Sequence, residues 1–104
     1  MRLHNLAPKT FAKVKVKQQW VKAKEFTCLV HLWDLESHWN PRAYNHASGA
    51  FGIAQFLPST WANYKFPYMP RDPHIQITAG LRYITVRYGS PCAALVHEKN
   101  KGWY

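Results

Sequence analysis

The hydrophobic positions of this chain fall into short helical runs separated by proline- and glycine-rich breaks. The longest run extends from Trp20 to about Trp39 and is closed by Pro41. On a helical wheel of about 100° per residue, Phe26, Cys28, Leu29, Val30, Leu32, Trp33 and Leu35 form one broad apolar face. Lys24, Thr27, His31, Asp34 and His38 gather on the other side, as expected of an amphipathic helix. Glu36 breaks the pattern, because the same spacing places it near the middle of the apolar face.

Downstream of Pro41, the segment RAYNHASGAFG reads as a loop or short hairpin. Pro58 opens a short helix over STWANY, and KFPYMPR is an extended, proline-bounded loop. Asp72 is placed as an N-cap with Pro73 at the first helical position, which predicts a helix to about Tyr88 with Ile77, Leu81, Ile84 and Tyr88 as its apolar stripe. Gly89 ends that helix. Ser90 and Pro91 then open a last one over CAALVHEK before the chain closes on GWY. The β-branched runs are too short for a sizeable sheet, and no repeat occurs. The expectation is a single mainly α domain over residues 20–104 with a short loop or hairpin, preceded by a basic arm or linker over residues 1–19.

Charge narrows the possible partners. Fourteen Lys and Arg against five Asp and Glu give a net charge of +9, which suits a polyanion: nucleic acid, an anionic membrane or a bacterial wall. Lys9, Lys13, Lys15, Lys17, Lys22 and Lys24 concentrate that charge early, as a solvated linker, an edge strand protected by lysines, or an electrostatic anchor. No apolar run approaches the roughly 18 residues that cross a bilayer. Met1 to Lys17 lacks the apolar core of a signal peptide, so work outside a cytoplasm implies lysis, a virion or a parent chain. Cys28 and Cys92, the only cysteines, fit two buried thiols or one disulfide equally well. His31, Asp34 and His38 share a helix face but belong to no zinc motif, so no metal or other cofactor is expected.

A carboxyl set among Trp33, Trp39 and leucines has its pKa raised by desolvation, which makes it a general acid. Glycosidases use such a group, in many cases opposite a second carboxylate. None stands out here. Asp34 points about 200° away on the wheel, Glu25 lies three turns back, Asp72 is a cap, and Glu98 lies among Lys99 and Lys101.

The stretch from Trp33 to Tyr64 resembles the soluble lytic transglycosylase domain of the lysozyme-like superfamily. The resemblance rests on Glu36-Ser37, Asn40-Pro41-Arg42-Ala43, Gly49-Ala50-Phe51-Gly52, Gln55 and Pro58-Ser59-Thr60 in that order. It continues through AGLRYITVRYGSPCAALVHEKNKGWY, which is similar to the ending of compact variants in phage tail tape-measure and secreted actinobacterial proteins. The resemblance implies a lysozyme-like fold with Glu36 as the catalytic acid and base. One carboxyl suffices for such an enzyme, because the muramoyl 6-hydroxyl attacks its own anomeric carbon and yields a 1,6-anhydro product. By the same resemblance Gln55 hydrogen-bonds the substrate, the turn of Gly49, Ala50 and Gly52 brings backbone against the saccharide, and Ser37 and Ser48 steady the carboxylate or the ligand. Tyr64 and Tyr88 are candidates to pack on sugars, although Tyr88 also falls on the apolar stripe of its helix. Ile53-Ala54 and Asp72-Pro73 depart from the family pattern around the saccharide subsites. The compact secreted variants carry a cysteine in the catalytic helix and another just after the Gly-Ser-Pro turn, so the resemblance implies a Cys28–Cys92 disulfide, worth roughly 4 kcal/mol on a chain-entropy estimate. The implied partners are peptidoglycan glycan strands, with the basic arm held by anionic wall polymer and the domain acting as a monomer. The alternatives are a lysozyme-type muramidase that hydrolyses the same bond, or a basic nucleic-acid or wall-binding module without catalysis, which leaves Glu36 unexplained.

Overall fold

The structure, a computed structural model, describes residues 5–66 and 69–104. Met1 to His4 of the basic arm, and Pro67 and Tyr68 of the proline-bounded loop, lie outside the described residues. Five helices follow one another: α1 (Pro8–Gln19), α2 (Lys24–Ser37), α3 (Pro58–Asn63), α4 (Pro73–Arg87) and α5 (Pro91–Lys101). All but α2 begin on a proline, whose missing N–H is no loss where a helix has no carbonyl to offer it. The Asp72 carboxylate accepts from the His74 N–H at 2.8 Å, and the Ser90 hydroxyl accepts from the Ala93 N–H at 3.2 Å, capping α4 and α5. Between α2 and α3 the chain makes only isolated bridges, Tyr44 to Phe51 and Phe51 to Phe56, in a tight hairpin-like loop.

The stretch expected to be an arm or linker is instead a core helix. On α1, Phe11, Ala12 and Val16 are buried. The Phe11 ring stacks on His74 with centroids 4.1 Å apart, and the Gln19 amide donates to the Thr85 hydroxyl at 2.8 Å. The stripe is narrow, and the lysines between its members disguise it as a polar run. Lys9, Lys13 and Lys17, four residues apart, form an exposed row on the outside of the same helix.

Helix α2 is shorter than the pattern predicts, because His38 and Trp39 both adopt left-handed backbone, φ 53° and 61°, and end it before Pro41. Its core-facing arc is also narrower. Leu29, Leu32 and Trp33 are fully buried, whereas Leu35, at the edge of the wheel's apolar face, is 55% exposed. Glu36 keeps the core-facing angle but sits in the last turn, where the core gives way to a cavity. At Gly80, α4 comes so close that a Cβ would stand 2.6 Å from the Trp33 ring.

Helices α2 and α5 pack side by side and run in the same direction. Cys28 and Cys92 are joined by a disulfide with Cα atoms 5.0 Å apart. Next to it the buried Glu25 carboxylate accepts from the Cys92 N–H at 3.0 Å, a favourable place for negative charge at the start of α5.

If α1 belongs to the core, Phe11→Ala should cost about 3 kcal/mol or more, the range for a buried phenylalanine. Lys13→Ala on the outer row should change stability by less than about 0.5 kcal/mol. Urea unfolding of the two variants checks this. Equal midpoints for both would return α1 to the status of a dispensable arm.

Candidate active site

The loop that faces Glu36 is held from behind by Gln76, a wholly buried residue of α4. Its side-chain oxygen accepts from the Ile53 N–H at 2.8 Å, and its amide nitrogen donates to the carbonyls of Pro41 (3.0 Å) and Pro70 (2.9 Å). Gly52 makes room for this amide. It has φ +89°, and a Cβ there would lie 2.8 Å from the Gln76 side-chain carbon and oxygen. The Ser37 hydroxyl donates to the Ile53 carbonyl at 2.6 Å, so both backbone groups of Ile53 are fixed.

That anchorage delivers Gln55 to the site, in left-handed backbone with φ 57°. Its amide nitrogen donates to the carbonyls of Ala43 (3.2 Å) and Gly52 (2.9 Å), which leaves the side-chain oxygen as the group able to accept from a ligand. The end of the chain closes the other side. The Trp33 N–H donates to the Tyr104 hydroxyl at 2.9 Å, and that hydroxyl donates to the Ala54 carbonyl at 2.8 Å. Burial pushes the Tyr104 hydroxyl well above its ordinary pKa, with the Glu36 charge adding to the effect, so it stays a neutral donor.

Glu36, Gln55, Leu57, Thr60, Tyr83, Arg87, Trp103 and Tyr104 line an open cavity of about 420 Å³. Trp103 and Leu57, 52% and 43% exposed, give it apolar walls, and the Arg87 guanidinium lies over the rings of Tyr83 and Trp103 at 5.4 and 5.9 Å. The Glu36 carboxyl is pushed up from 4.5 to about 9, first by desolvation, then by a hydrogen bond to the Glu98 side chain and by that group's charge. A second carboxylate is therefore present after all. The register of two helices supplies it: Glu36 lies about two turns beyond Cys28 and Glu98 not quite two beyond Cys92, and the helices run parallel.

Of the residues singled out from the sequence, the cavity brings together Glu36 and Gln55. Ser37 stands behind them, its hydroxyl committed to Ile53 rather than to the carboxyl. Gly49, Ala50 and Gly52 do not line the cavity: Ala50 is buried, Gly52 backs onto Gln76, and Gly49 turns the chain at φ +82° beside Pro58. Ser48 is exposed, and its hydroxyl accepts from the Ala50 N–H at 3.1 Å. Tyr64 lines a different hollow, of about 350 Å³, with Phe66, His74, Ile75, Thr78, Ala79 and Arg82. That hollow contains no carboxyl, so it has no acid for glycosidic chemistry. Tyr88 packs between His97 and Tyr104, centroids 5.1 and 6.2 Å away, which places it in the frame behind the cavity rather than on its surface. The residues missed are Gln76, Tyr83, Arg87, Trp103 and Tyr104, whereas Glu98 is weighed from the sequence as a second carboxylate and set aside; all come from segments distant in sequence from Glu36. Among the described residues no three of His, Cys, Asp and Glu converge to hold a metal ion.

The family model described as the transglycosylase SLT domain matches residues 13–95, from within α1 to α5. Glu98, Trp103 and Tyr104 lie just beyond the match. No curated protein and no solved structure matches the chain.

A carboxyl held near 9 in the fold and near 4.5 when unfolded keeps its proton in the fold after the unfolded chain has lost its own. The fold is therefore favoured fully below pH 4.5 and loses that advantage as the pH rises towards 9. Glu36→Gln has no proton to lose. Its thermal stability should match or exceed that of the unaltered protein, by on the order of 1 kcal/mol near pH 8 once solvent screening is allowed for, with the gap closing below about pH 4. A Glu36→Gln protein less stable at pH 8 than at pH 4 relative to the unaltered one would contradict the burial of a protonated carboxyl.

Proposed function

Because the chain belongs to the transglycosylase SLT domain family, whose activity on peptidoglycan is of the lytic transglycosylase type, we propose that it cleaves the β-1,4 bond between N-acetylmuramic acid and N-acetylglucosamine, with Glu36 as general acid and base. The observation that carries this reading is the position of the Glu36 carboxyl, its pKa raised by burial, at the wall of a cavity large enough for a sugar, beside the side-chain oxygen of Gln55. Glu36 gives its proton to the glycosidic oxygen as the bond from that oxygen to the muramoyl anomeric carbon breaks. The muramoyl 6-hydroxyl oxygen then bonds to the same carbon, and its proton returns to the Glu36 carboxylate. The enzyme is regenerated without water. Gln55 accepts a hydrogen bond from the sugar or its acetamido group, while Trp103 and Leu57 cover its apolar faces.

The position of Glu98 favours the anhydro product over hydrolysis. Hydrolases place their two carboxyls on opposite sides of the scissile bond, roughly 5–5.5 or 6.5–9.5 Å apart. Carboxyls in mutual hydrogen-bond contact leave no room between them for a sugar or an attacking water.

The wall itself is a polyanion. The row of Lys9, Lys13 and Lys17, with Lys22 and Lys24 beyond the end of α1, faces solvent and supports attraction to anionic wall polymer. Replacing Lys9, Lys13 and Lys17 by Gln should weaken sedimentation with whole walls at low salt and leave it unchanged at high salt, since screening acts over about 8 Å at physiological ionic strength. Undiminished binding at low salt would exclude the row as an anchor.

Turnover of purified walls should fall at least about 100-fold in Glu36→Gln, the scale of general acid catalysis. Asp34→Asn, on the opposite face of α2, should leave it nearly intact. Mass spectrometry of the released muropeptides should find 1,6-anhydromuramic ends. Reducing ends would convert the assignment to a muramidase, and full activity in Glu36→Gln would end it.

A further inference from the structure

Two carboxyls occupy the final turns of α2 and α5, where the helix ends already present unpaired carbonyls and partial negative charge. Neither helix gains from this. A carboxylate belongs at the first turn of a helix, as Glu25 shows at the start of α5. Glu98 thus breaks a local rule twice, against the dipole of its own helix and against Glu36, and such breaks collect at functional sites. Lys99 and Lys101 beside it are exposed and face solvent, whereas Glu98 is half-buried and turned towards Glu36.

We infer that Glu98 is a positioning residue for the reaction proposed above: its carboxylate receives the Glu36 O–H, fixing the orientation of that carboxyl and confining one proton to the pair. The inference rests on that functional reading for its consequence, but the pairing stands on the parallel packing of α2 and α5, fastened at Cys28 and Cys92, whose register brings Glu98 beside Glu36. At rest the proton stays on Glu36, whose pKa is raised by burial and then by the Glu98 side chain beside it. Once Glu36 has protonated the leaving oxygen, two carboxylates face each other, and their repulsion makes Glu36 a stronger base towards the muramoyl 6-hydroxyl. The pair weakens the acid in the first half of the reaction and strengthens the base in the second. The other groups facing Glu36 are Tyr104 and Trp103 from the chain end, Tyr83 and Arg87 from α4 and the neutral Gln55 from the loop. Of these Arg87 carries the only charge, and it lies over aromatic rings.

The chain has only three glutamates, Glu25, Glu36 and Glu98, so protein labelled with 13C at glutamate carboxyls gives three signals to titrate. In the unaltered protein the Glu36 signal should titrate near pH 9. In Glu98→Gln, which keeps an oxygen to accept the hydrogen bond, it should move down by about 1 pH unit or more. The alkaline limb of kcat/KM on soluble glycan chains should move with it. If Glu98→Gln fails to fold, Glu98→Ser removes the charge from the same place. A Glu36 midpoint that is ordinary in the unaltered protein, or that stays put when the Glu98 charge is removed, overturns the inference. A midpoint that moves in a protein without wall-cleaving activity upholds the pairing and refutes only the functional reading.

Discussion

The side-chain amide of Gln76 holds the loop that faces Glu36, and most of what lies across from that carboxyl follows from it. Three backbone groups, the Ile53 N–H and the carbonyls of Pro41 and Pro70, meet this one buried side chain. Left unpaired, each buried group would cost about 1–3 kcal/mol. No regular secondary structure substitutes for it here, because the loop between α2 and α3 makes only isolated bridges. Gly52 is glycine for the sake of this amide, and the neighbouring Ser37 hydroxyl completes the clamp on Ile53. Gln55 then has little freedom: its backbone is left-handed, its amide hydrogens are spent on the loop, and its oxygen is left for a ligand.

On the opposite side of the cavity the constraint is electrostatic. Helices α2 and α5 are fastened at their starts by the Cys28–Cys92 disulfide and by Glu25 on the Cys92 N–H. At their far ends the same two helices press Glu36 and Glu98 together. A charge that stabilises one end of the pair and a charge that destabilises the other are thus built from the same residue type. The difference is direction along the helix axis. Trp103 and Tyr104 wall the cavity at this second end, where burial raises the pKa of Glu36. A carboxyl in that place keeps its proton, which is the condition for an acid that works near neutral pH.

Much of the fold was legible because its signals are local. Pro58, Asp72-Pro73 and Ser90-Pro91 mark helix starts that the structure places at Pro58, Pro73 and Pro91. Glu36 was legible as well, since a single wheel shows it on the wrong face of α2. Helix α1 was not, because a stripe of only Phe11, Ala12 and Val16 between lysines lacks the width of an amphipathic face. Gln76 was passed over because one polar residue in a helix reads as a surface position until three loop carbonyls and amides are seen around it. Glu98 needed the direction and register of α5 against α2, which no spacing within one helix contains. Ser37, Gly52 and Tyr88, drawn in by resemblance to the family, belong to the frame behind the site rather than to its surface.

The central proposal is that the glycan binds across Glu36, between Gln55 and Trp103. A crystal structure of Glu36→Gln with a four-sugar fragment of the glycan strand tests it most directly. The account predicts the scissile glycosidic oxygen within hydrogen-bond distance of the residue 36 side chain, with a sugar hydroxyl or acetamido N–H donating to the Gln55 oxygen. Glycan seated instead in the hollow of Tyr64, Phe66 and Ile75, with residue 36 free of sugar, would contradict it.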